Sequence, residues 1–346
     1  MLETIGYTPQ MARFAAAADA EVGRVVRVDR GLAEILTEHG LLRAGYSGDL
    51  LGEVCRDPVA APTAGDWVVV RDWPDHRHTV QRVLPRSTVL VRATAGKQSH
   101  GHVLCANADY VAVVVALHPD PPVPRVERLL ALAWESGATP VVVLTKTDLV
   151  ADAEFVAEDI AAAAPGVEVV CTSTVTGLGI DRLRALAEGG RTTALVGASG
   201  HGKSSLVNAL VGAEVLGTKE IRQDGRGRHT SVRRELVLLP GGGAVIDTPG
   251  LRGIGMLGTL EGLSRAFSDI TGLMAQCRYD DCTHRTEPGC AVRTALESGS
   301  LPVRRYDSWV SLRTEAEKAA RRREARTVTQ RPRKGHGKNQ GEARLS

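Results

Sequence analysis

The sequence predicts an α/β protein with a small β-barrel near its N-terminus, a doubly wound, mostly parallel sheet in the middle, and a helical, cysteine-bearing region near its C-terminus. Three observations predict this order. Short β-like runs separated by turn residues occupy residues 23–102, longer apolar runs alternate with helical patterns over residues 103–262, and three cysteines cluster within residues 277–290. Alternating strand and helix patterns are typical of a parallel sheet covered on both faces.

The predicted barrel depends on five β-like runs, Arg24–Val28, Leu32–Leu36, Asp66–Val70, Thr79–Leu84 and Thr88–Val91. Proline and glycine residues lie between them, as expected for turns. Five short strands in a segment of this length suit an OB-like barrel, although another small barrel fits the pattern as well. Residues 1–22 form an Ala-rich leader with no predicted element.

The predicted sheet begins with Tyr110–Leu117 and Pro140–Leu144, which are nearly continuous runs of β-branched and apolar residues. Such runs indicate strands that are buried on both faces. Apolar residues at helical spacing predict a helix over Pro124–Gly137. The alternation continues with strands at Val167–Cys171, Thr193–Val196 and Ala244–Ile246 and helices at Gly179–Glu188 and Lys203–Leu210.

Composition and charge exclude several classes of protein. A chain of 346 residues with 43% hydrophobic residues can bury two or three cores. Its longest clear apolar run is too short to cross a bilayer, and acidic residues near the start argue against a secretory signal, so we expect a cytoplasmic protein without a membrane partner. Nothing indicates an oligomer, and a monomer is expected.

The charge is unevenly distributed along the chain. The net charge is +3, yet residues 312–346 hold eleven Lys/Arg against four Glu. We therefore expect residues 313–346 to form a basic, disordered tail. Such a tail on a near-neutral body is typical of proteins that meet nucleic acid, although a tail that merely aids solubility fits equally well.

Residues 197–204 read GASGHGKS and match the phosphate-loop pattern GxxxxGK[ST] between a predicted strand and a predicted helix. Glycines let backbone N–H groups turn towards phosphate oxygens, and the helix N-terminus favours the anion. Lys203 is expected to neutralise the β- and γ-phosphates and Ser204 to coordinate Mg²⁺, while His201 is expected to be exposed. The predicted phosphate-binding residues are Gly197, Ala198, Ser199, Gly200, His201, Gly202, Lys203, Ser204 and Ser205.

Two more elements complete the predicted nucleotide site. Asp247 and Gly250 belong to a DTPG sequence after a strand, where the carboxylate is expected to hold Mg²⁺ through water and the Gly250 N–H to contact the γ-phosphate. Thr145-Lys146-Thr147-Asp148 resembles the guanine-reading NKxD element, whose Asp accepts hydrogen bonds from guanine N1–H and the 2-amino group. A surface Lys/Asp turn is the alternative. Thr145 replaces the usual Asn, which predicts weaker base binding, and Ser173 and Thr174 resemble the loop that touches guanine O6.

Cys277, Cys282, His284 and Cys290 offer three thiolates and one imidazole within fourteen residues. This set fills the four positions of a closed tetrahedral zinc site, so we expect one structural Zn²⁺ and no open position for a catalytic water. The alternative is a cluster of buried thiols beside an unrelated histidine. Few apolar residues flank the cluster, so metal binding is expected to contribute folding energy.

The order of these elements along the chain is unusual, because the guanine-reading residues precede the phosphate loop. In Ras-like GTPases they follow it. With the barrel before it and the cysteine cluster after it, over residues 20–312, the chain resembles the circularly permuted GTPases of the RsgA (YjeQ) family, ribosome small subunit-dependent GTPase A. The resemblance implies an OB-like barrel, a circularly permuted P-loop GTPase domain and a C-terminal zinc-binding domain at residues 23–102, 103–262 and 263–312.

The same resemblance implies a GTP-hydrolysing enzyme that binds GTP and GDP. It also implies binding to the 30S ribosomal subunit and its 16S rRNA during late maturation, with hydrolysis stimulated by the subunit. Residues 225–231 resemble the family's switch I, in which Thr230 would approach Mg²⁺. Leu251 occupies the place where Ras-like enzymes carry a water-orienting Gln, so His229 is the candidate substitute, with a loop histidine on RNA as the alternative.

RNA contact is expected to be electrostatic, because aromatic residues make up only 3% of the chain and cannot form a continuous stacking platform. Barrel arginines at 71, 77, 82, 86 and 92 are the candidate phosphate contacts, unless they are simply solvated. Two functions therefore stay open: an RNA-activated GTPase with Lys203, His229 and Thr230 as catalytic residues, and an RNA-binding module with a structural nucleotide site. A P-loop kinase is a third, minor possibility.

Overall fold

The computed structural model describes residues 1–15, 20–29, 31–93, 101–118, 121–217, 234–251 and 260–329. Its N-terminal part is a closed barrel of strands β1 (Ala20–Asp29), β2 (Leu32–Thr37), β3 (Gly40–Tyr46), β4 (Trp67–Asp72) and β5 (His78–Val83). The strand order is β1-β2-β3-β5-β4, and β4 pairs back with β1. β3 and β5 are parallel, and helix α1 (Gly48–Arg56) lies between β3 and β4. This arrangement confirms the OB-like barrel.

One barrel strand differs from the prediction. The run Thr88–Val91 belongs to β6 (Val89–Ala93), which pairs with β7 (Gly101–Ala106) in a separate two-stranded sheet. The fifth barrel strand is β3, which sequence analysis missed because it contains Gly40 and Gly45 and because Leu41 on it is exposed. Glycine weakens the β signal, and an exposed leucine disrupts the expected alternation.

Residues 1–15 of the N-terminal leader belong to the folded part of the protein. Short 3₁₀ helices span Leu2–Ile5 and Pro9–Phe14, and the side chains of Leu2 and Ile5 are buried. The amide of Gly243 donates to the carbonyl of Thr4 at 2.6 Å. Two apolar residues in a short segment give no periodicity, so this docking was not visible in the sequence.

The central sheet joins β8 (Tyr110–Ala116), β9 (Thr139–Thr145), β10 (Glu168–Cys171), β11 (Thr192–Gly197), β12 (Glu235–Leu238) and β13 (Ala244–Asp247). Its order is β10-β9-β8-β11-β13-β12, parallel except for β12, which runs antiparallel to β13. The mostly parallel, doubly wound sheet is thereby confirmed. A single pair, Arg27 with Glu235, joins β12 to barrel strand β1.

Helices cover both faces of this sheet. On β8, the side chains of Val111, Val113 and Val115 pack in one apolar cluster, and those of Ala112 and Val114 pack in the other. The first cluster contains residues of α2 (Val123–Glu135) and α3 (Ala153–Ala162), and the second contains residues of α4 (Ile180–Ala187) and α5 (Lys203–Val211). Burial on both faces explains the continuous apolar runs.

The C-terminal region consists of α6 (Glu261–Ala266), α7 (Ser268–Met274), α8 (Ala291–Glu297) and α9 (Val303–Thr329). Arg305 on α9 is buried and forms salt bridges with Glu127 on α2 and with Asp269 on α7. Breaking a buried pair leaves an uncompensated charge, so this network strongly constrains how α9 docks on the sheet domain.

The expected disordered tail is helical as far as Thr329, and residues 330–346 lie outside the described residues. Trp309, Leu312 and Ala316 continue an apolar stripe on α9, and Arg128 pairs with Glu315. The arginine-rich composition concealed this stripe. The proposed boundaries at 102, 262 and 312 each fall inside a helix or strand, β7, α6 and α9 respectively.

Within the described ranges, none of the helices combines the length and apolar character needed to span a membrane.

Candidate functional site

The predicted nucleotide-binding elements meet at the carboxyl edge of the parallel sheet. The loops after β9, β10, β11 and β13 hold, in that order, Thr145–Asp148, Ser173–Thr174, the phosphate loop and the DTPG sequence. In open α/β sheets, ligands bind at this edge. Four separate segments of the sequence therefore converge on one site.

The phosphate loop, Gly197–Ser204, has the backbone shape that its glycines predict. Gly200 and Gly202 have φ values of +82° and +86°, a region that favours glycine. A Cβ on Gly197 would lie 2.3 Å from the carbonyl oxygen of Val114 on the neighbouring strand, so only glycine fits there. The Lys203 Nζ donates to the carbonyl oxygens of Gly197 at 3.2 Å and Ala198 at 2.8 Å.

Ser204 and Asp247, the two predicted Mg²⁺ residues in the described part of the chain, are in contact. The Ser204 hydroxyl donates to Asp247 Oδ2 at 3.1 Å. Asp247 Oδ1 is buried, and no described group donates to it. A hydroxyl and a carboxylate oxygen side by side are the oxygen donors that Mg²⁺ takes, directly or through water, so these residues fit the ion.

Burial shifts the pKa values of Lys203 and Asp247. It lowers the pKa of Lys203, an effect that the nearby Asp247 opposes. It raises the pKa of Asp247, and both Lys203 and the Ser204 hydrogen bond oppose that shift. Each group therefore stabilises the charged form of the other in a site that would otherwise favour neutral groups.

The DTPG sequence lies directly against the phosphate loop. A Cβ on Gly250 would stand 2.7 Å from the backbone nitrogen of Ser199, so a larger residue would force the two loops apart. The amide of Leu251 donates to the carbonyl of Gly197 at 3.0 Å, and the Leu251 side chain is buried. An apolar side chain turned into the core cannot orient a water molecule.

On the base side, Asp148 is exposed and its carboxylate is held in place. The Ser173 hydroxyl donates to Asp148 Oδ1 at 2.5 Å. Thr147 donates through its hydroxyl to the carbonyl of Thr172 at 3.1 Å, which joins the loops after β9 and β10. Thr174 is exposed beside them, and Lys146 has a left-handed backbone. The predicted guanine-reading elements thus lie together, with the Asp148 carboxylate open to a ligand.

Thr145 makes a contact that the sequence did not predict. Its buried hydroxyl donates to the carbonyl of His201 in the phosphate loop at 2.8 Å. The shorter side chain that replaces Asn therefore still connects the base-reading loop to the phosphate loop.

His201 is half-buried, which differs from the exposed position that we expected. Its Nδ1 lies 3.1 Å from the carbonyl oxygen of Val114. Burial lowers the pKa of His201, and the neighbouring cations Lys203 and Arg125 add to this shift. His201 therefore packs under the loop because the β8 carbonyl offers it a hydrogen-bond partner. The predicted catalytic residues His229 and Thr230 lie outside the described residues.

Arg125 is a residue of this site that sequence reasoning missed. It lies in the first turn of α2, and its Nη2 donates to the carbonyl oxygen of Leu251. Positive charge at a helix N-terminus opposes the helix dipole. An arginine in that unfavourable position, at the start of the helix that follows a predicted sheet strand, was the available signal.

The cysteine cluster has the geometry of a metal site. The ligand atoms of Cys277, Cys282, His284 and Cys290 all lie within 4.8 Å of one another. The Cys277 and Cys290 sulfurs are 3.9 Å apart, and each lies 3.6 Å from His284 Nδ1. Bonds of about 2.3 Å in a tetrahedron would hold thiolates about 3.8 Å apart, so the residues fit one Zn²⁺.

A single carboxylate fixes the loop that carries His284. Glu287 accepts hydrogen bonds from the amides of Thr283, Arg285 and Thr286 and from the Thr283 hydroxyl. These bonds hold the pKa of Glu287 far below its usual value. The His284 backbone is left-handed at φ +62°, an unusual conformation that the Glu287 contacts stabilise beside it.

The barrel arginines are not equivalent. Arg86 is largely buried, pairs with Asp66 and donates to two backbone carbonyls, so its predicted role as an RNA contact is wrong. Arg71 lies over the Trp73 ring, and Arg77 is exposed beside Asp75. Trp67 is buried, so it cannot stack on a base.

Comparisons with known proteins agree with this geometry. The sequence profile of the RsgA GTPase family matches residues 83–257. The "Small ribosomal subunit biogenesis GTPase RsgA" of Streptomyces avermitilis is 48% identical over 308 residues, covering 88% of this chain and 82% of the relative. The protein of that name from Methanosarcina acetivorans is 39% identical over 295 residues, covering 85% and 79%.

Two solved structures share the fold. YjeQ from Thermotoga maritima superposes with a TM-score of 0.63 at 25% identity, covering 86% of this chain and 98% of that one. YloQ, described as a circularly permuted GTPase, superposes with a TM-score of 0.59 at 25% identity, covering 88% and 97%. Permuted site order, site geometry and these similarities agree: the chain belongs to the RsgA GTPase family.

Proposed function

We propose that this protein hydrolyses GTP at the described site and acts as a checkpoint in late maturation of the small ribosomal subunit. One observation supports the GTP assignment: Asp148, proposed to bind the base, lies at the same edge of the sheet as Lys203, proposed to bind the phosphates, and as Ser204 and Asp247, proposed to hold Mg²⁺. The ribosomal role is supported by relatives whose name assigns them to small-subunit biogenesis.

Each residue of the site has a proposed task. Asp148 accepts hydrogen bonds from the guanine N1–H and 2-amino groups, which adenine lacks. Lys203 would exchange its bonds to the loop carbonyls for the β- and γ-phosphates, and Ser204 and Asp247 would hold Mg²⁺, which neutralises charge on the phosphate oxygens. His229 is the proposed water-orienting residue, because Leu251 is buried and apolar, and Thr230 is the proposed switch contact to Mg²⁺.

The proposed partners are the 30S subunit, through its 16S rRNA, and GTP or GDP. Arg71 and Arg77 on the barrel and the basic C-terminal residues are the proposed phosphate contacts, so affinity is expected to fall steeply with salt. The protein would act as a cytoplasmic monomer. One Zn²⁺ at Cys277, Cys282, His284 and Cys290 would have a structural role.

Phosphate release from GTP and from ATP, with and without purified 30S subunits, tests this proposal. We expect 30S subunits to stimulate hydrolysis of GTP but not of ATP, and Lys203→Ala to abolish it. His229→Ala is expected to lose the stimulation while keeping GTP binding. Equal turnover of ATP and GTP would contradict the assignment of Asp148 to the base.

A second function is favoured by the burial of Leu251, which removes a water-orienting side chain from the usual position. In that case the protein would be a ribosome-binding module with a structural nucleotide site. A protein that binds GTP and 30S subunits without stimulated hydrolysis would establish this alternative. A Lys203→Ala protein that still performs the cellular role would support it as well.

A further inference from the structure

The N-terminus of α2 places a cation beside the phosphate loop. β8 pairs with β11 so that Val114 lies opposite Gly197, the first residue of the loop. The chain leaves β8 at this edge and enters α2 at Val123, with Arg125 in the first helical turn. The Arg125 side chain is half-buried, which places its charge at the site and away from bulk solvent.

Arg125 holds the backbone that follows the DTPG sequence. Its Nη2 donates to the carbonyl oxygen of Leu251, and the amide of the same residue donates to Gly197. The peptide segment Gly250–Leu251 is therefore held from one side by the phosphate loop and from the other by the guanidinium. Its position depends on two hydrogen bonds, and Arg125 supplies one of them.

The charge of Arg125 is not balanced by a described carboxylate. Its Nε is buried, and no described group accepts from it. The guanidinium also contributes to the lowered pKa values of Lys203 and His201, although burial is the larger cause. Cations that face one another in a partly buried site repel, and an anion placed between them relieves that repulsion.

We propose that Arg125 is a positioning residue that makes this site prefer GTP to GDP, by fixing the Gly250–Leu251 backbone and by adding positive charge where the terminal phosphate binds. The inference rests on the proposed function, because it takes the triphosphate as the substrate. The terminal phosphate is the part of GTP that GDP lacks, so a residue that acts on it changes one affinity and not the other.

The test measures the affinities of the full-length protein for fluorescent GDP and for a fluorescent, non-hydrolysable GTP analogue, both with Mg²⁺. Arg125→Gln is expected to weaken binding of the GTP analogue roughly tenfold and binding of GDP less than about twofold. Arg125→Lys keeps the charge but loses the planar guanidinium. Its affinity for the GTP analogue is therefore expected to lie between those of the wild-type protein and Arg125→Gln. Arg128→Gln is the matched control, because Arg128 lies on the same helix but pairs with Glu315.

Ionic strength provides a readout that a purely structural role would not change. The preference of the wild-type protein for the GTP analogue is expected to decline as salt is added, and that of Arg125→Gln to change less. If Arg125→Gln does not fold, as judged by its thermal unfolding, the lysine variant and the salt series decide. A glutamine or lysine variant that weakens both nucleotides equally, or neither, would overturn the inference.

The outcomes also separate this inference from the proposed function. A wild-type protein that does not hydrolyse GTP contradicts the proposed function itself. A wild-type protein with 30S-stimulated hydrolysis, and an Arg125→Gln variant with an unchanged ratio of GTP to GDP affinity, contradicts only the role of Arg125.

Discussion

The nucleotide site and the cysteine cluster differ in how their polar groups are satisfied without a ligand. In the nucleotide site, Lys203 donates to loop carbonyls, Ser204 to Asp247, and Ser173 to Asp148. In the cysteine cluster, three sulfurs crowd around one imidazole, and His284 Nε2 is buried with no described partner. The hydrogen bonds of the first site can hold its shape when it is empty. In the second, an apolar core and the Glu287 contacts hold the surrounding chain, and a cation would fix the four ligand side chains themselves.

Because of this difference, we expect loss of the nucleotide to affect activity and loss of the metal ion to affect folding. A nucleotide would replace hydrogen bonds that the protein already makes, so its loss should change activity and leave the fold intact. A metal ion would cross-link the four ligand side chains, which lie between helices that already share an apolar core through Ile270, Val292 and Trp309. Its loss should loosen the segment between α7 and α8, which carries all four candidate ligands.

The largest expected effect is the loss of zinc. Cys282→Ser removes one of four ligands, so we expect bound zinc to be lost and the free energy of unfolding of the C-terminal region to fall by about 3 kcal/mol or more. Zinc analysis and amide hydrogen exchange over residues 268–301 measure both. Cys55→Ser is the control, because Cys55 is exposed on α1. Unchanged exchange in a zinc-free variant would contradict a structural role for the metal.

Lys203→Ala tests whether the nucleotide site can lose a binding group without a large loss of stability. The loss of the buried cation that is proposed to bind the phosphates is expected to weaken GTP binding about a hundredfold. The free energy of unfolding should fall by only about 1 kcal/mol, because relief of the Lys203 desolvation offsets most of the lost hydrogen bonds and of the lost attraction to the buried Asp247. Nucleotide titration and chemical unfolding measure the two effects. A large loss of stability would mean that the nucleotide site, like the zinc site, depends on one group.

Asp148→Asn tests base recognition alone. An amide presents a donor where the carboxylate accepts from guanine, so GTP affinity is expected to fall at least tenfold. Xanthosine triphosphate, which carries a carbonyl in place of the 2-amino group, should bind the variant better than GTP does. Competition binding with both nucleotides measures the change. Asp152→Asn, an exposed residue nearby, is the control and should change neither affinity.

The smallest expected effect concerns Thr145. Thr145→Val removes the hydroxyl that bonds to the His201 carbonyl but keeps the shape of the side chain. One neutral hydrogen bond contributes about 1 kcal/mol, which predicts roughly a fivefold loss of GTP affinity. Thr145→Ser keeps the hydroxyl and should bind GTP like the wild-type protein. Equal binding by all three proteins would show that the link between the two loops has no role in affinity.

The sequence by itself determined the local chemistry of this protein. The phosphate loop, DTPG, the predicted guanine-reading residues and the four candidate zinc ligands form short local patterns, in which residue type and spacing carry the information. The buried strands of the sheet were equally clear, because burial on both faces leaves a nearly continuous apolar run. The permuted order of the site elements could also be predicted, because it follows from their positions along the sequence.

Only the tertiary structure decided which distant residues meet. β3 was missed because its glycines and the exposed Leu41 weaken the strand pattern. The α9 stripe around Trp309 becomes visible only where α9 packs into the core beside His284. The contacts Thr145–His201, Arg86–Asp66 and Arg125–Leu251 join residues that are separated in sequence. A side chain's available hydrogen-bond partner and its burial are set by the packing of several elements, and no local pattern records them.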